Sequence, residues 1–521
     1  MILGDSAAAA AAPPHARNRL TIDEVFRRLA ERRPDALALA DAANRQTFTG
    51  GTPRRLTFAE ADRMVTAIAG RLRGVGLPTD AIVGIQLPNI VENVLTMLGV
   101  LRAGMIAAPL PLLWRRADAI AALGRIGAKA LITCGHVGSF DHSQLALRVA
   151  AEVFSIRYVC GFGGNLPDGV VPFDDLFTVD KLDPIPPLDR ERRNNAAAHV
   201  AAVTFDVGDG GVVPVARNHP ELLAAGLAVV LESRLPHGAS MLSALPPSSF
   251  AGISVTLLPW LLTGGTLVLH HAFDPDIFAA QRQDNRCGAL ILPALEVFNL
   301  AEAGALAGDD TACVIAAWRS PERLALSPVW REPSAALVDV AIFGEAALVP
   351  SRRGLDGAPS ALRLGPVLTP RDGAGGVAVA ELMRSDAGTL AVRGPMVPHH
   401  SFPPGIERSG LPYFQVGRGG VVETGYACRI DSGTNAIALN EAPAGIASVG
   451  GYRFPLRALQ ELVARIDRTA TLTALPDAVL GQRLIGDAVM RDTMRAALNA
   501  AGVNPIVAAA FCDRGAAAGA A

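Results

Sequence analysis

Between residues 205 and 215 the chain reads Phe205-Asp206-Val207-Gly208-Asp209-Gly210-Gly211-Val212-Val213-Pro214-Val215, three glycines and two aspartates in a valine-rich run. Glycines so spaced let a backbone turn and aim its N–H groups at an anion. The two carboxylates oppose that use, because like charges close together in a partly dry pocket are costly. The plainer chemistry of the segment is a solvated Asp-Gly turn, and the alternative is a remodelled anion loop that uses a bridging cation or Arg217. Basic groups elsewhere are almost all arginine: two lysines, Lys129 and Lys181, stand among 47 Lys and Arg residues. A coding bias toward Arg, Ala and Gly accounts for much of that skew. Six cysteines lie at 134, 160, 287, 313, 428 and 512 with no Cys-x-x-Cys pair and no histidine at ligand spacing. Neither a metal site nor a disulfide framework is indicated, and reduced thiols predict a cytoplasmic protein.

These groups need a large scaffold. At 521 residues the chain exceeds what one hydrophobic core usually serves, which predicts two or more subdomains. A formal net charge of -2 with no block of like charge excludes an electrostatic nucleic-acid binder. The expected partner is a small molecule or another protein. Residues 253–270 are the most apolar stretch, but Pro259, Gly264 and Gly265 interrupt them and no charge belt flanks them. They predict a buried helix turning into a strand, not a membrane span.

From Thr21 onward helical and strand patterns alternate. An amphipathic helix through Val25, Leu29 and Arg32 precedes apolar runs at 81–87 and 130–133, which predicts βαβ units around parallel sheet. Residues 183–195, rich in Pro and charge, read as a connector. Beyond Leu364 shorter strands with Gly and Pro turns, including 388–394 and 421–437, predict a mainly antiparallel unit. Residues 1–20 read as a disordered leader and 515–521 as a disordered tail.

Three segments, Leu56-Thr57-Phe58-Ala59-Glu60, Val83-Gly84-Ile85-Gln86-Leu87-Pro88-Asn89 and Leu101-Arg102-Ala103-Gly104, follow one another in a telling order. Leu245-Pro246-Pro247, Leu262-Thr263-Gly264-Gly265, Val392-Arg393-Gly394-Pro395, Thr424-Gly425 and Gly450-Gly451-Tyr452-Arg453 continue it. Over residues 21 to 485 the chain resembles the adenylate-forming superfamily, acyl-CoA synthetases above all. The resemblance implies an α/β fold: a large domain of two αβα subdomains plus a distorted β-barrel over residues 21–441, then a small, shortened α+β domain over 442–514. It also implies chemistry in which a carboxylate is joined to AMP and then passed to the thiol of CoA.

The resemblance places the phosphate loop on 205–215, where its hydroxyls are missing and its lysine has become Val213. Its aromatic, metal-binding motif falls on Phe343-Gly344-Glu345-Ala346-Ala347, with alanine at the metal carboxylate. Glu345 is two positions early; the commoner expectation is a glutamate satisfied at the surface, and the alternative is a partial substitute for the metal carboxylate, because on an extended segment it keeps the face of Ala347. The ribose-holding aspartate becomes Tyr426 after Thr424, and a further contact near the hinge falls on Asn440. A histidine of the family corresponds to Ser249. The terminal lysine has no counterpart in the last residues, where only Arg514 is basic. The implied nucleotide positions are therefore Gly208, Asp209, Gly210, Gly211, Phe343, Gly344, Glu345, Thr424 and Tyr426, all remodelled. The implied acyl pocket contains Ser249, Phe250, Gly252 and Trp318. No catalytic residue and no metal ligand emerges.

Val213, Ala347, Tyr426, Asn440 and the missing lysine all serve one nucleotide chemistry, and a fold does not secure a function whose site has changed. The expectation is an acyl-CoA synthetase-like protein whose standard ATP-dependent adenylation is absent or very slow. The alternative is a non-catalytic protein that binds an acyl or aryl carboxylate or acyl-CoA, or acts as a protein-complex scaffold, on the same fold. ATP with magnesium, and CoA, are cofactors only if the family chemistry is retained. A third expectation is a subunit whose missing cations come from a protein partner.

Overall fold

The computed structural model describes residues 20–177, 184–189, 195–306, 311–332, 334–371, 374–477 and 480–512. The leader up to residue 19, Lys181, part of the connector (183 and 190–194), Arg514 and the tail lie outside them.

Local sequence starts the helices where they begin. Thr21 and Thr57 each cap a helix, Ile22–Arg32 and Phe58–Gly74, by accepting from the backbone of Glu24 and Glu60, whose carboxylates accept from the cap N–H in return. The Leu56-Thr57-Phe58-Ala59-Glu60 segment is thus a reciprocal cap, and Phe58 is fully buried against Trp260, ring centroids 6.0 Å apart. Helix Val91–Arg102 is buried along almost its whole length, including the polar Glu92, Asn93 and Thr96. Glu92 survives there because Arg45 and Arg54 each reach it at 2.7 Å.

Two predominantly parallel sheets form the large domain. A seven-stranded sheet is ordered Gly211–Asn218, Val200–Gly208, Ile106–Pro109, Ile82–Ile85, Ala130–Cys134, Tyr158–Phe162 and Val170–Pro172. In the eight-stranded sheet, Met241–Ser243, Ala289–Pro293, Cys313–Trp318 and Ala336–Phe343 run parallel side by side. Asn89 joins the two sheets: its amide donates to the carbonyls of Ser243 at 2.9 Å and His270 at 3.2 Å. Residues 253–270 form a bent helix and then strand Leu267–Leu269, all buried or nearly so. Among the described residues no helix is long and apolar enough to cross a membrane.

Strands Gly365–Arg371, Ala374–Arg384, Thr389–Arg393, Val422–Ile430 and Ile437–Leu439 make a five-stranded antiparallel sheet. The C-terminal unit has its own core, with Ala447, Val449, Phe454, Leu472, Leu498 and Phe511 packed between a four-stranded sheet and two long helices, Leu456–Ile466 and Arg491–Ala501.

Candidate functional site

Three adjacent parallel strands end at one place. Pro293 closes Ala289–Pro293, Trp318 closes Cys313–Trp318, and Phe343 closes Ala336–Phe343 before a turn at Gly344. Ligands of open α/β sheets bind beyond such carboxyl ends. Here a cavity of about 500 Å³ lies beyond them. Its walls are mostly apolar, with Trp114, Phe205, Leu245, Phe273, Leu295 and Ile342 beside Trp318. Its polar groups include Ser249, Arg319, Arg323, Asp206 and Glu345.

The small domain closes this cavity. Its strands Ile446–Val449 and Tyr452–Pro455 form a hairpin whose tip, Gly450-Gly451, enters the wall with Tyr452 and Arg453. Arginines hold it there. Arg323 donates to the carbonyls of Asp477 and, at 2.8 Å, Gly481, the two ends of the next hairpin. Arg319 donates to the Gly451 carbonyl at 3.1 Å. Arg453 reaches back to Asp206 at 2.8 Å and donates to the Tyr426 hydroxyl at 3.0 Å.

That last contact reorganises the positions implied for nucleotide. Residues 205–215 form a tight hairpin of strands Val200–Gly208 and Gly211–Asn218, with Gly208 paired to Gly211 across an Asp209-Gly210 turn. Gly208, Asp209, Gly210 and Gly211 stand outside the cavity wall, with Asp209 and Gly210 exposed. Val213 is buried in the core. Asp206 lies on the cavity side, where it pairs with Arg453 and accepts the Glu345 N–H at 3.1 Å. The repulsion expected between Asp206 and an anion is therefore offset within the chain.

Tyr426 is fully buried, its ring edge-on to Phe343 at 5.8 Å. Burial pushes its phenol up to about 12, so the hydroxyl stays protonated. Burial works against the Arg453 guanidinium, yet the Asp206 carboxylate and then Tyr426 hold it above its ordinary value. Gly344, at φ 57°, makes this possible, since a Cβ there would sit 2.5 Å from both Arg453 Nη1 and Asp206 Oδ2. Thr424 spends its hydroxyl on the Leu390 carbonyl at 2.8 Å. Phe343, Thr424 and Tyr426 do not line the cavity, whereas Gly344 and Glu345 do.

Glu345 corrects an expectation. It is 6 % exposed, not at the surface, because the loop preceding helical turn Phe250–Gly252 folds over it and Phe250 donates its N–H to the carboxylate at 2.9 Å. Burial raises its pKa, as does Asp206, against the opposing charge of Arg217. Arg217, also buried, stacks on the Phe250 ring at 3.7 Å and donates to the carbonyls of Glu345, Ala346 and Met396. Burial pulls it down to about 10. Arg217 thus supports the wall from behind and does not line it.

Of the four implied acyl-pocket residues, Ser249 and Trp318 line the cavity. Phe250 turns away onto Arg217, and Gly252 is packed so tightly that a Cβ would meet the Pro246 carbonyl at 2.0 Å. Arg319 and Arg453 escaped the sequence reading, although Arg453 closes the quoted Gly450-Gly451-Tyr452-Arg453 and Arg319 follows Trp318. In a chain whose basic residues are nearly all arginine, neither stood out.

Fold and site define an open α/β protein with a cavity at the strand ends, under a smaller second unit that has its own core. The profile of the AMP-binding enzyme family matches residues 26–294, and the chain belongs to that family and to the adenylate-forming superfamily. A stretch of 171 residues is 32% identical to long-chain fatty acid transport protein 1 of Bos taurus, covering 33% of this chain and 24% of that protein. The chain thus spans about a quarter of the length of the first curated relatives it matches. The 2-hydroxy-7-methoxy-5-methyl-1-naphthoate–CoA ligase of Streptomyces carzinostaticus is 27% identical over 279 residues, 50% of this chain and 46% of the ligase. Two solved structures share the fold. Apo MbtA of Mycobacterium smegmatis has a TM-score of 0.66 at 21% identity, covering 96% of this chain and 91% of its own. The amide bond synthetase McbA of Marinactinospora thermotolerans has 0.67 at 19%, covering 93% and 94%.

Proposed function

We propose that this protein binds an apolar acyl or aryl carboxylate, or its CoA thioester, in the cavity, and that ATP-dependent adenylation by it is absent or very slow. The observation that carries this reading is the Asp206–Arg453–Tyr426 connection. It links the positions implied for phosphate, ribose and the segment beyond the hinge, so polar groups that would hold a nucleotide hold each other. Charge developing at phosphorus needs cations and backbone N–H groups aimed at it. Arg453 is bound to a carboxylate, Arg217 is turned to carbonyls, and the Asp209-Gly210 turn stands outside the cavity wall. The apolar wall is suited to the body of an organic acid, and about 500 Å³ falls in the range of small-molecule sites. The naphthoate ligase and the fatty acid transport protein agree with an acid of either aromatic or aliphatic kind.

Calorimetric titration of the full chain with magnesium–ATP tests the nucleotide half of the reading. No heat and no melting shift at millimolar nucleotide are expected. Pyrophosphate exchange that depends on an added carboxylate would sink it.

A further inference from the structure

Of the carboxylates that line the cavity, Asp206, Glu296 and Glu345, none forms an ion pair with Arg319. It projects from the end of strand Cys313–Trp318 into the wall, where Nη1 donates to the Gly451 carbonyl and Nη2 to Ser249 Oγ, each at 3.1 Å. A guanidinium carries five N–H donors, so most of its donor capacity remains. Asp206 is held by Arg453, and Glu345 is held by the Phe250 N–H. Glu296 also lines the cavity but makes no ion pair with Arg319. Among the described residues Arg319 has hydrogen bonds to neutral oxygens only. Burial lowers its pKa, with the Arg453 charge adding to that, while Glu345 and then Tyr452 oppose it without either forming an ion pair with Arg319.

Both domains shape themselves around this group. Gly451, at φ 86°, would place a Cβ 2.6 Å from Arg319 Cδ. Ser249 is held in turn, accepting the Gly252 N–H at 3.2 Å while it caps a helical turn. A cation so positioned, with no carboxylate in ion-pair contact, favours a ligand that supplies negative charge.

We propose that Arg319, steadied by Ser249 and the Gly451 carbonyl, anchors the carboxylate of the apolar acid that fills the cavity. The planar guanidinium suits a carboxylate, whose two oxygens accept parallel N–H bonds. The apolar body of the acid then lies against Trp114, Phe205, Leu245 and Trp318. This assignment rests on the acyl-site reading above but is separable from its statement about ATP.

The test compares acids with uncharged analogues of the same shape. Full chain is titrated with 2-naphthoate and 2-naphthamide, and with decanoate and decanol. Wild type should bind at least one acid about tenfold or more tighter than its neutral partner, the usual scale for a hydrogen bond to a charged group. Arg319→Gln should abolish that preference and leave the neutral probes within about threefold, which also reports an intact fold, while Arg319→Lys should restore part of it. An acid preference that survives in Arg319→Gln overturns the anchor, as does wild type that treats acid and neutral analogue alike. Failure of all four probes to bind overturns both the anchor and the acyl-site reading. If the acids bind through Arg319 and are then adenylated with magnesium–ATP, the anchor stands and the reading on ATP falls.

Discussion

Two arginines reach the same cavity and meet opposite circumstances. Arg453 comes from the small domain and finds a carboxylate, Asp206, and a phenol, Tyr426, waiting. Arg319 comes from the large domain and finds a carbonyl and a hydroxyl. One end of the cavity is electrostatically complete without a ligand. The other carries a cation whose hydrogen bonds go to neutral oxygens. On the function proposed above, a family cleft need not retain or lose its function as a whole: nucleotide contacts would be replaced by internal ones while the wall proposed to receive the acid keeps a cation outside any ion pair.

The largest effect should come from breaking the complete end. Arg453→Ala leaves Asp206 without its cation in a site where the two side chains are 14% and 17% exposed. Removing one partner of a buried pair costs roughly 3–5 kcal/mol, and the residual exposure places this one near about 3. A urea titration of the variant beside Asp206→Asn and the double variant reads the coupling directly. A coupling below about 0.5 kcal/mol would mean the pair is worth no more than a surface contact. Next in size is Gly344→Ala, which sets a methyl against both members of the pair at a left-handed residue. A loss of about 2 kcal/mol is expected from the backbone strain and the displaced arginine together.

The open end is sharpened by Phe273→Ala. Phe273 lines the cavity and is 42% exposed, so its removal should spare stability. Binding of 2-naphthoate should weaken by about 1 kcal/mol, from lost apolar contact alone, with the acid-over-amide preference unchanged. If that preference falls as well, the separation of apolar wall from charged anchor is mistaken.

What could be read in the sequence follows the range of the interactions. The reciprocal caps at Thr21 and Thr57 involve neighbours three residues apart, and their pattern is visible in the string. The alternation of strands and helices, the breakers within 253–270 and the antiparallel turns beyond Leu364 are local in the same sense. The Arg453–Asp206 contact joins residues 247 apart, and Arg319 meets Gly451 across 132. No local periodicity constrains such pairs. Glu345 shows the same limit: its neighbours Gly344 and Ala346 suit a surface turn, and only the loop from Ser249, almost a hundred residues earlier, buries it.

A pair whose cation titrates gives the smallest effect and the finest discrimination. His399 Nδ1 lies 2.6 Å from Glu221, which also accepts the Asn218 N–H at the start of helix His219–Ser233. The hydrogen bond to Glu221 raises the His399 pKa, against burial. Because the folded value is raised, the pair's contribution is fully present below the unfolded pKa of about 6.5 and is lost as pH rises through the folded value. Wild type should exceed His399→Gln in stability by up to about 1 kcal/mol at pH 6, and the gap should narrow as pH rises above the ordinary histidine range. The Asp206–Arg453 coupling should stay level over the same interval, since arginine does not deprotonate there. Parallel urea titrations across pH separate the two, and a His399→Gln gap that widens with pH would reverse the sign assigned to this pair.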